Sequence, residues 1–296
     1  MEQVVCRDCI RRCGAARTET RGAGACKMGL LPVLARAGIH TGEEPCISGK
    51  NGSGTIFFSG CALHCRFCQN HQISHGGIGE RVSVGRLRGI METLAAKGVH
   101  NINQVNPTHF AAAIVQALET PLPVPVVWNS GGHDSVEMLR RMEGKIQVYM
   151  PDFKYAEDAL ARRFSGVARY REESLAAIDE MVRQRGPYQL DENGQLVSGV
   201  LIRHLVLPGH ILNTRAAIRL IEKRYPPHTV LFSLMGQFTP QAGETEYPEL
   251  MRTLTQAEYD RAQAALFESG LEDGYVQGPE AAGQEHVPAF DLTGVR

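Results

Sequence analysis

Residues 55–70 read TIFFSGCALHCRFCQN, and this stretch decides the fold. Its first five residues, 55–59, form an apolar run that is typical of a short buried strand. Three cysteines follow at once, with the spacing C-x3-C-x2-C, at Cys61, Cys65 and Cys68. The sequence therefore predicts three thiols on one tight loop directly after a strand.

Cysteines grouped at this spacing indicate a metal site. An iron-sulfur cluster with four irons normally has four thiolate ligands, so Cys61, Cys65 and Cys68 would leave one iron without a protein ligand. A vacant coordination position on a metal is where a substrate or cofactor can bind, as in catalytic zinc sites. Two alternatives remain open at this point, namely a zinc knuckle that lacks one ligand and three unrelated buried thiols.

The chain after this loop alternates between strand and helix patterns. Further apolar strands are predicted at 102–106, 124–129, 146–152, 200–207 and 229–235. Helical patterns are predicted around Leu87 to Ala95 and at 109–118, 134–142, 172–184, 213–223 and 256–269. Six strands that alternate with helices predict an α/β fold with a parallel sheet, closed as a partial (β/α)6 TIM-like barrel.

The sequence divides into three parts. Residues 1–50 are rich in Cys, Gly and Arg and have no sustained period, which predicts a Cys-rich metal-binding segment. Residues 51–240 form the predicted barrel core. Residues 241–296 contain one predicted helix and a Gly- and Glu-rich extension, which we expect to pack on the barrel.

A second set of cysteines lies in the first part, at Cys6, Cys9, Cys13 and Cys26. Four thiols suffice for a closed metal site, which would hold either a second [4Fe-4S] cluster or zinc. Three of the four lie close together with the fourth remote, which is closer to iron-sulfur ligation than to paired zinc knuckles. Cys46 is left over, either as a substitute for one of these four or as a plain buried thiol.

The composition excludes some partners. The 296 residues include 31 Lys and Arg against 32 Asp and Glu, so the chain shows no clear signal for nucleic acid or for an anionic membrane. No segment approaches the roughly 20 apolar residues that span a bilayer, and the first residues do not resemble a secretory signal. Eight cysteines in such a chain indicate metal ligation in a reducing compartment. We expect a cytoplasmic protein that works under low oxygen.

The motif C-x3-C-x-aromatic-C after a first strand resembles the signature of the radical SAM superfamily. Residues 49–54, the Cys-Gln-Asn that ends at Asn70, 151–154 and 203–208 resemble the branch related to pyruvate formate-lyase activating enzyme. In that family S-adenosylmethionine chelates the open iron of a [4Fe-4S] cluster. One-electron reduction then yields a 5′-deoxyadenosyl radical, which abstracts a hydrogen atom. The resemblance also implies an electron donor such as flavodoxin or ferredoxin and, as one candidate substrate, a glycyl radical enzyme.

Candidate cofactor residues lie at the carboxyl ends of the predicted strands, where such barrels collect reacting groups. Asp152 and Lys154 point the same way from an extended chain, and together they suit the carboxylate, amine and ribose groups of the cofactor. A structural salt bridge is the alternative. Arg203 and His204 cannot both face the barrel lumen by strict alternation, and Arg203 is our candidate.

The remaining candidates depend more on the resemblance. Phe67 would pack against the adenine or belong to the core, and Gln237 matches a ribose contact of the activating enzymes. Asn129 and Ser130 precede two glycines, as in a Thr-Asn-Gly loop of that family. Asn106 and Thr108 follow the second strand, where the family has a Gly-Gly-Glu-Pro run and this chain has no carboxylate. These two residues either bind the cofactor or form a turn and helix cap.

Two other functions remain open from the sequence. One is a non-catalytic iron-sulfur protein that transfers electrons or carries clusters. The other is a radical SAM enzyme that acts on a small molecule or a peptide and not on a glycyl radical enzyme.

Overall fold

The computed structural model describes residues 4–241, 244–281, 283 and 287–296. The strands are β1 (Val4–Val5), β2 (Ala16–Arg17), β3 (Val33–His40), β4 (Ser53–Phe58), β5 (Glu80–Arg81), β6 (Ile102–Val105), β7 (Val126–Ser130), β8 (Val148–Pro151), β9 (Gln189–Leu190), β10 (Leu196–Leu205), β11 (Leu231–Met235) and β12 (Gly274–Gln277). The helices are α1 (Pro45–Ser48), α2 (His71–Ser74), α3 (Val84–Ala95), α4 (Ala111–Ala117), α5 (Val136–Arg141), α6 (Asp158–Ser165), α7 (Tyr170–Arg185), α8 (Ile211–Arg224) and α9 (Gln256–Phe267). Short 3-10 turns lie at Thr108–Phe110, Pro248–Met251 and Pro279–Ala281.

A mostly parallel sheet forms the centre of the molecule. The six predicted strands are β4, β6, β7, β8, β10 and β11, and they pair side by side in that order, all parallel. Helices connect the successive strands, as parallel pairing requires. The prediction of an α/β fold with a parallel sheet is therefore confirmed. No helix in the described ranges is long and apolar enough to cross a membrane.

Burial explains why these segments are strands and why helices cover them. All six residues of β4, and all residues of β6, β7 and β8, are buried, which is typical of parallel strands covered on both faces. Ser83 begins α3 by accepting a hydrogen bond from the Arg86 amide, and Thr255 begins α9 with a capping box that includes Glu258. Local sequence signals thus place helix starts at the correct points between the strands.

The sheet extends beyond the six predicted strands. β12 adds a parallel strand beside β11, and β3 pairs antiparallel with β4 on the other side. The boundary at residue 50 therefore needs correction, because Val33–His40 belongs to the main sheet. Arg36, Gly38 and His40 interrupt the apolar pattern of this strand, which hid it in the sequence.

The end of the chain returns to β3. The Leu292 amide donates to the Ala35 carbonyl at 3.0 Å, and the Ala37 amide donates to the Thr293 carbonyl at 2.9 Å. Val295 is buried, and its carbonyl accepts hydrogen bonds from the Arg86 guanidinium. The last residues therefore lie against the barrel on the β3 side.

Candidate active site

A cavity of about 200 Å³ lies at the carboxyl ends of the parallel strands. This is the edge at which α/β barrels collect their reacting groups. Its walls bring together most of the residues named from the sequence, which are Cys61, Cys65, Phe67, Cys68, Asn106, Asn129, Ser130, Asp152, Lys154, Arg203 and Gln237.

The loop after β4 carries the three thiols. His64 has a φ of 53°, which turns the chain back sharply, and the Cys68 amide donates to the Cys65 carbonyl at 3.1 Å. The Ser165 hydroxyl donates to the Cys65 sulfur at 3.0 Å, and the Ser74 hydroxyl donates to the Cys68 sulfur at 3.3 Å. Hydroxyl donors of this kind stabilise negative charge on sulfur, as a thiolate ligand requires.

The thiols have the chemistry of a cluster site. Burial, with repulsion from Cys65 and Cys68, raises the pKa of Cys61 to about 12, and burial also raises the pKa of Cys68. Because thiolates bind metals, a positive metal centre is needed to ionise them here. In the described part of the chain, no three His, Cys, Asp or Glu side chains are grouped as around a single ion. A four-iron cluster holds each thiolate on a different iron, so three thiols spread over one cavity wall fit that group.

Phe67 belongs to the core and also lines the cavity. Only 5% of the residue is exposed, and its ring lies 6.2 Å from Tyr155, 6.4 Å from Phe164 and 6.1 Å from Phe238 between centroids. Edge and tilted contacts at these distances are favourable for aromatic rings. The core position is therefore observed, and the contact with an adenine remains a prediction.

A partly buried network of charges lines the same cavity as the thiols. Arg203 donates to Asp152 at 3.0 Å, to Glu43 at 3.0 Å and to the Asn129 side-chain oxygen at 2.7 Å. Lys154 donates to the other oxygen of Asp152. Burial alone would raise the pKa of Asp152, but Lys154 and Arg203 outweigh it and hold that pKa below its usual value. Asp152 is consequently ionised and shared between two cations.

Of the two candidates on β10, Arg203 is the one that faces the cavity. His204 points to the other side of the strand, where its Nδ1 contacts the Phe153 carbonyl at 2.6 Å and its Nε2 contacts the Thr214 hydroxyl at 3.0 Å. A carbonyl can only accept, so Nδ1 carries the proton and Nε2 accepts. The opposite directions of Arg203 and His204 follow from strict alternation along a strand.

Several solved structures have the same fold. HydG, a maturase of the [FeFe]-hydrogenase, superposes with a TM-score of 0.51 at 14% identity, over 79% of this chain and 53% of that one. Streptococcus suis SuiB superposes with a TM-score of 0.50 at 15% identity, over 74% of this chain and 47% of that one. SuiB bound to the precursor peptide SuiA gives a TM-score of 0.50 at 13% identity, over 74% of this chain and 46% of that one. The chain shares the fold of these structures.

The present chain spans about half the length of those structures. A curated relative is the uncharacterized protein MJ0674 of Methanocaldococcus jannaschii, which is 29% identical over 267 residues. That match covers 87% of this chain and 72% of the relative. No protein-family model matches the chain.

The second set of cysteines lies directly against the loop after β4. Cys9 and Cys26 pack with Ala62 of that loop in one small buried cluster. Burial, with repulsion from Cys6, Cys26 and Cys13, raises the pKa of Cys9 to about 12. The thiols of this segment are thus close enough to influence one another. The cysteine-rich segment and the three-cysteine loop are therefore in direct contact.

Cys46 is separate from both sets. It packs in an apolar cluster with Ile47, Val127 and Leu231, beneath the charged network. Burial raises its pKa to about 12, although the nearby Tyr275 hydroxyl opposes that change. Of the two interpretations of Cys46, the plain buried thiol agrees with its surroundings.

Thr108 is not part of the cavity lining. The residue is fully buried, and its hydroxyl donates to Asp134 at 2.8 Å, where Trp128 Nε1 also donates at 3.1 Å. The prediction of a cofactor contact at Thr108 therefore needs correction, because a carboxylate from the next loop takes its hydroxyl.

Ser130 lines the cavity but donates to the same carboxylate. Asn106 remains on the wall, with a φ of 58° and its amide donating to the Gly60 carbonyl at 2.5 Å.

Two carboxylates near the cavity were missed in the sequence. Glu43 accepts from Arg203 and from the Asn103 amide at 3.0 Å, and Glu44 is only 1% exposed. Both directly precede α1 in a segment without a clear period. Two adjacent acidic residues before a proline and an apolar pair were the available signal, but this pattern is also common on exposed turns.

Proposed function

We propose that this protein is a radical SAM enzyme. The observation that carries this proposal is one cavity at the strand ends, which is lined both by the three thiols of one loop and by the partly buried Asp152-Lys154-Arg203 network. Cys61, Cys65 and Cys68 would hold a [4Fe-4S] cluster. When bound and reduced, the cluster with S-adenosylmethionine supplies a 5′-deoxyadenosyl radical, the species that removes a hydrogen atom from substrate.

The residues of the cavity have distinct roles in this proposal. Lys154 and Asp152 would hold the carboxylate and amino groups of the cofactor, since each offers a charge of the opposite sign. Gln237 would contact the ribose, and Phe67 would pack against the adenine. Asn106 and Asn129 supply amide groups on the two intervening walls. The buried site excludes water, which protects a reactive radical from side reactions.

We also propose a second metal site at Cys6, Cys9, Cys13 and Cys26. Three of these residues are buried and Cys13 is exposed. Four thiolates would close the coordination of a second [4Fe-4S] cluster, whose ligands bind different irons, or of zinc, for which the described side chains would have to move closer together. Metal analysis of anaerobically purified protein separates the two. About eight irons per chain support a second cluster, and four irons with one zinc support a zinc site.

The electron needed for cofactor cleavage would come from a flavodoxin or ferredoxin in the cytoplasm. Burial raises the pKa of several thiols that we assign to metal, and such ligands persist as free thiols in a reducing compartment. The resemblance to the activating enzymes makes a backbone glycine of a glycyl radical enzyme one candidate substrate. Incubation with such an enzyme tests this, because transfer produces a persistent organic radical visible by electron spin resonance.

A small molecule or a peptide is the second candidate substrate. A specific observation favours it, namely a chamber of about 420 Å³ that adjoins the cofactor cavity and shares Asn129, Arg203 and Gln237 with it. Binding pockets for small ligands usually have volumes of a few hundred Å³. The absence of an organic radical on a protein partner, with turnover of a small molecule, would support this second candidate.

The decisive experiment is formation of 5′-deoxyadenosine. The protein is reconstituted with iron and sulfide without oxygen, reduced with dithionite, mixed with S-adenosylmethionine and analysed by chromatography. We expect product from the wild type and from Cys46→Ala, a buried thiol outside both sets, and none from Cys65→Ala. Equal product from Cys65→Ala and wild type would contradict the assignment. No product from a wild-type protein that holds iron would support a non-catalytic iron-sulfur protein.

A further inference from the structure

The chamber beside the cofactor cavity has an acidic wall. It is lined by three glutamates, Glu43, Glu44 and Glu280, and by Arg203. Arg203 already donates to Glu43 and Asp152. Glu280 is exposed at the rim, whereas Glu44 is buried. The chamber therefore has more carboxylates than cations, and one of these carboxylates, Glu44, is buried.

Glu44 lies on the wall without a well-formed hydrogen bond. Both of its carboxylate oxygens are buried, and neither has a donor in good hydrogen-bonding geometry among the described residues, although the Ser233 hydroxyl and its own backbone lie near enough to act on it. Burying a carboxylate in this way is costly unless a donor or a positive charge compensates for it. Burial raises the pKa of Glu44 and Glu43 adds to the increase, while Arg203, the backbone and the Ser233 hydroxyl act in the opposite direction. Because burial outweighs these groups, the compensation at Glu44 is incomplete.

Gln237, on the same wall, also has a side-chain oxygen that lacks a hydrogen-bond donor. The side-chain oxygen of Gln237 is buried and has no partner among the described residues, because its amide nitrogen donates to the Gln277 oxygen. Within the described part of the chamber wall, every buried side-chain atom that lacks a partner is thus an acceptor oxygen. A ligand that satisfies these oxygens must bring hydrogen-bond donors, and at Glu44 a donor that carries positive charge is favoured.

We propose that this chamber binds the substrate of the enzyme through a cationic nitrogen, an alkylammonium group held by Glu44 and Gln237. This inference rests on the proposed function, since the chamber counts as a substrate site because it adjoins the cofactor cavity. An ammonium at Glu44 would replace the missing counter-charge. A carboxylate or phosphate would meet Glu43 and Glu44 and be repelled.

The test measures binding of a charge series to the reconstituted enzyme with S-adenosylmethionine and without reductant. The probes are n-butylammonium, n-butanol and n-butyrate, and ligand-observed nuclear magnetic resonance gives their dissociation constants. We expect butylammonium to bind at least about tenfold more tightly than butanol, with butyrate weakest, as one charged hydrogen-bonded contact would produce. Equal affinity for butylammonium and butanol would overturn the proposal, and this comparison needs no variant.

Variants assign the preference to one residue. Glu44→Gln keeps the shape and removes the charge, and we expect it to abolish the preference for butylammonium over butanol. Glu192→Gln, an exposed residue outside the chamber, is the matched control and should change the preference less than about twofold. A Glu44→Gln protein that folds and retains the full preference would refute the role of Glu44.

The two proposals fail separately. A protein that forms 5′-deoxyadenosine but does not prefer ammonium retains the proposed function and loses the ammonium site. A protein that binds butylammonium through Glu44 but forms no 5′-deoxyadenosine retains the site and loses the radical chemistry.

Discussion

Arg11, in the cysteine-rich segment, donates through Nε to the carbonyl of Ala62, in the loop between two proposed cluster ligands, at 2.6 Å. Its other nitrogens donate to the carbonyls of Leu63, Ser165 and Gly166 at 3.4, 2.7 and 2.8 Å. One planar guanidinium thus connects the loop after β4 to the end of α6, because it carries several N–H donors in one rigid plane. The cysteine-rich segment therefore braces the three-cysteine loop directly.

Substitution of Arg11 should loosen that loop. Arg11→Ala removes four hydrogen bonds from a charged donor, and we expect the free energy of unfolding to fall by about 3 kcal/mol. Iron should also leave the reconstituted protein faster when a chelator is added. Arg12→Ala is the control, because Arg12 forms an exposed ion pair with Glu173. This substitution should lower the free energy of unfolding by less than about 1 kcal/mol. Equal iron loss from the two variants would show that Arg11 does not brace the loop.

Asp152 should stabilise the fold in its ionised form. Its pKa is lowered in the folded state, so its contribution is present above the pKa of an unfolded aspartate and is lost as the pH falls through the folded value. Asp152→Asn removes the negative charge that lies between Lys154 and Arg203. We expect the free energy of unfolding in urea to fall by about 3 kcal/mol at pH 7. The difference from wild type should shrink below about pH 4. A difference that does not vary with pH would contradict this. The control is Asp260→Asn, because Asp260 is an exposed residue of α9.

His204 should make the fold sensitive to mild acid. Burial lowers its pKa to about 4, which the hydrogen bond to the Phe153 carbonyl only partly opposes. The unfolded chain takes up the proton near pH 6.5, so this residue contributes stability at neutral pH that is lost as the pH falls from about 6.5 towards 4. Between pH 7.5 and 5.5 the loss from His204 should be about 1 kcal/mol. His204→Gln should unfold with a flatter pH dependence in denaturant titrations, and an unchanged slope would exclude this role.

Thr108 should affect stability and not cofactor binding. Its hydroxyl donates to the buried Asp134, so Thr108→Val leaves that carboxylate short of one donor. We expect a loss of about 1 to 2 kcal/mol in thermal or urea unfolding. The affinity for S-adenosylmethionine, measured by equilibrium dialysis, should change less than about twofold. Asn106→Ala, on the cavity wall, should weaken that affinity more than Thr108→Val does. A larger loss of affinity in Thr108→Val would show that Thr108 contacts the cofactor.

The sequence by itself determined the parts of this protein that depend on local pattern. The spacing of Cys61, Cys65 and Cys68 places three thiols on one loop whatever surrounds them. Apolar runs and helix periods located the six parallel strands, because strand and helix periodicity are properties of a few neighbouring residues. Alternation also required that Arg203 and His204 point to opposite sides of β10.

Only the tertiary structure decided which distant groups meet. Arg11 lies 51 residues from Ala62 and 154 from Ser165, and no local pattern predicts those contacts. The hydroxyl of Thr108 donates to a carboxylate from the following loop, and Glu44 is buried although its local sequence resembles an exposed turn. The crossover connections and the order of the strands determine which distant residues become neighbours. Burying a polar group is favourable only when such a neighbour can pair with it, so local sequence does not determine which polar groups are buried.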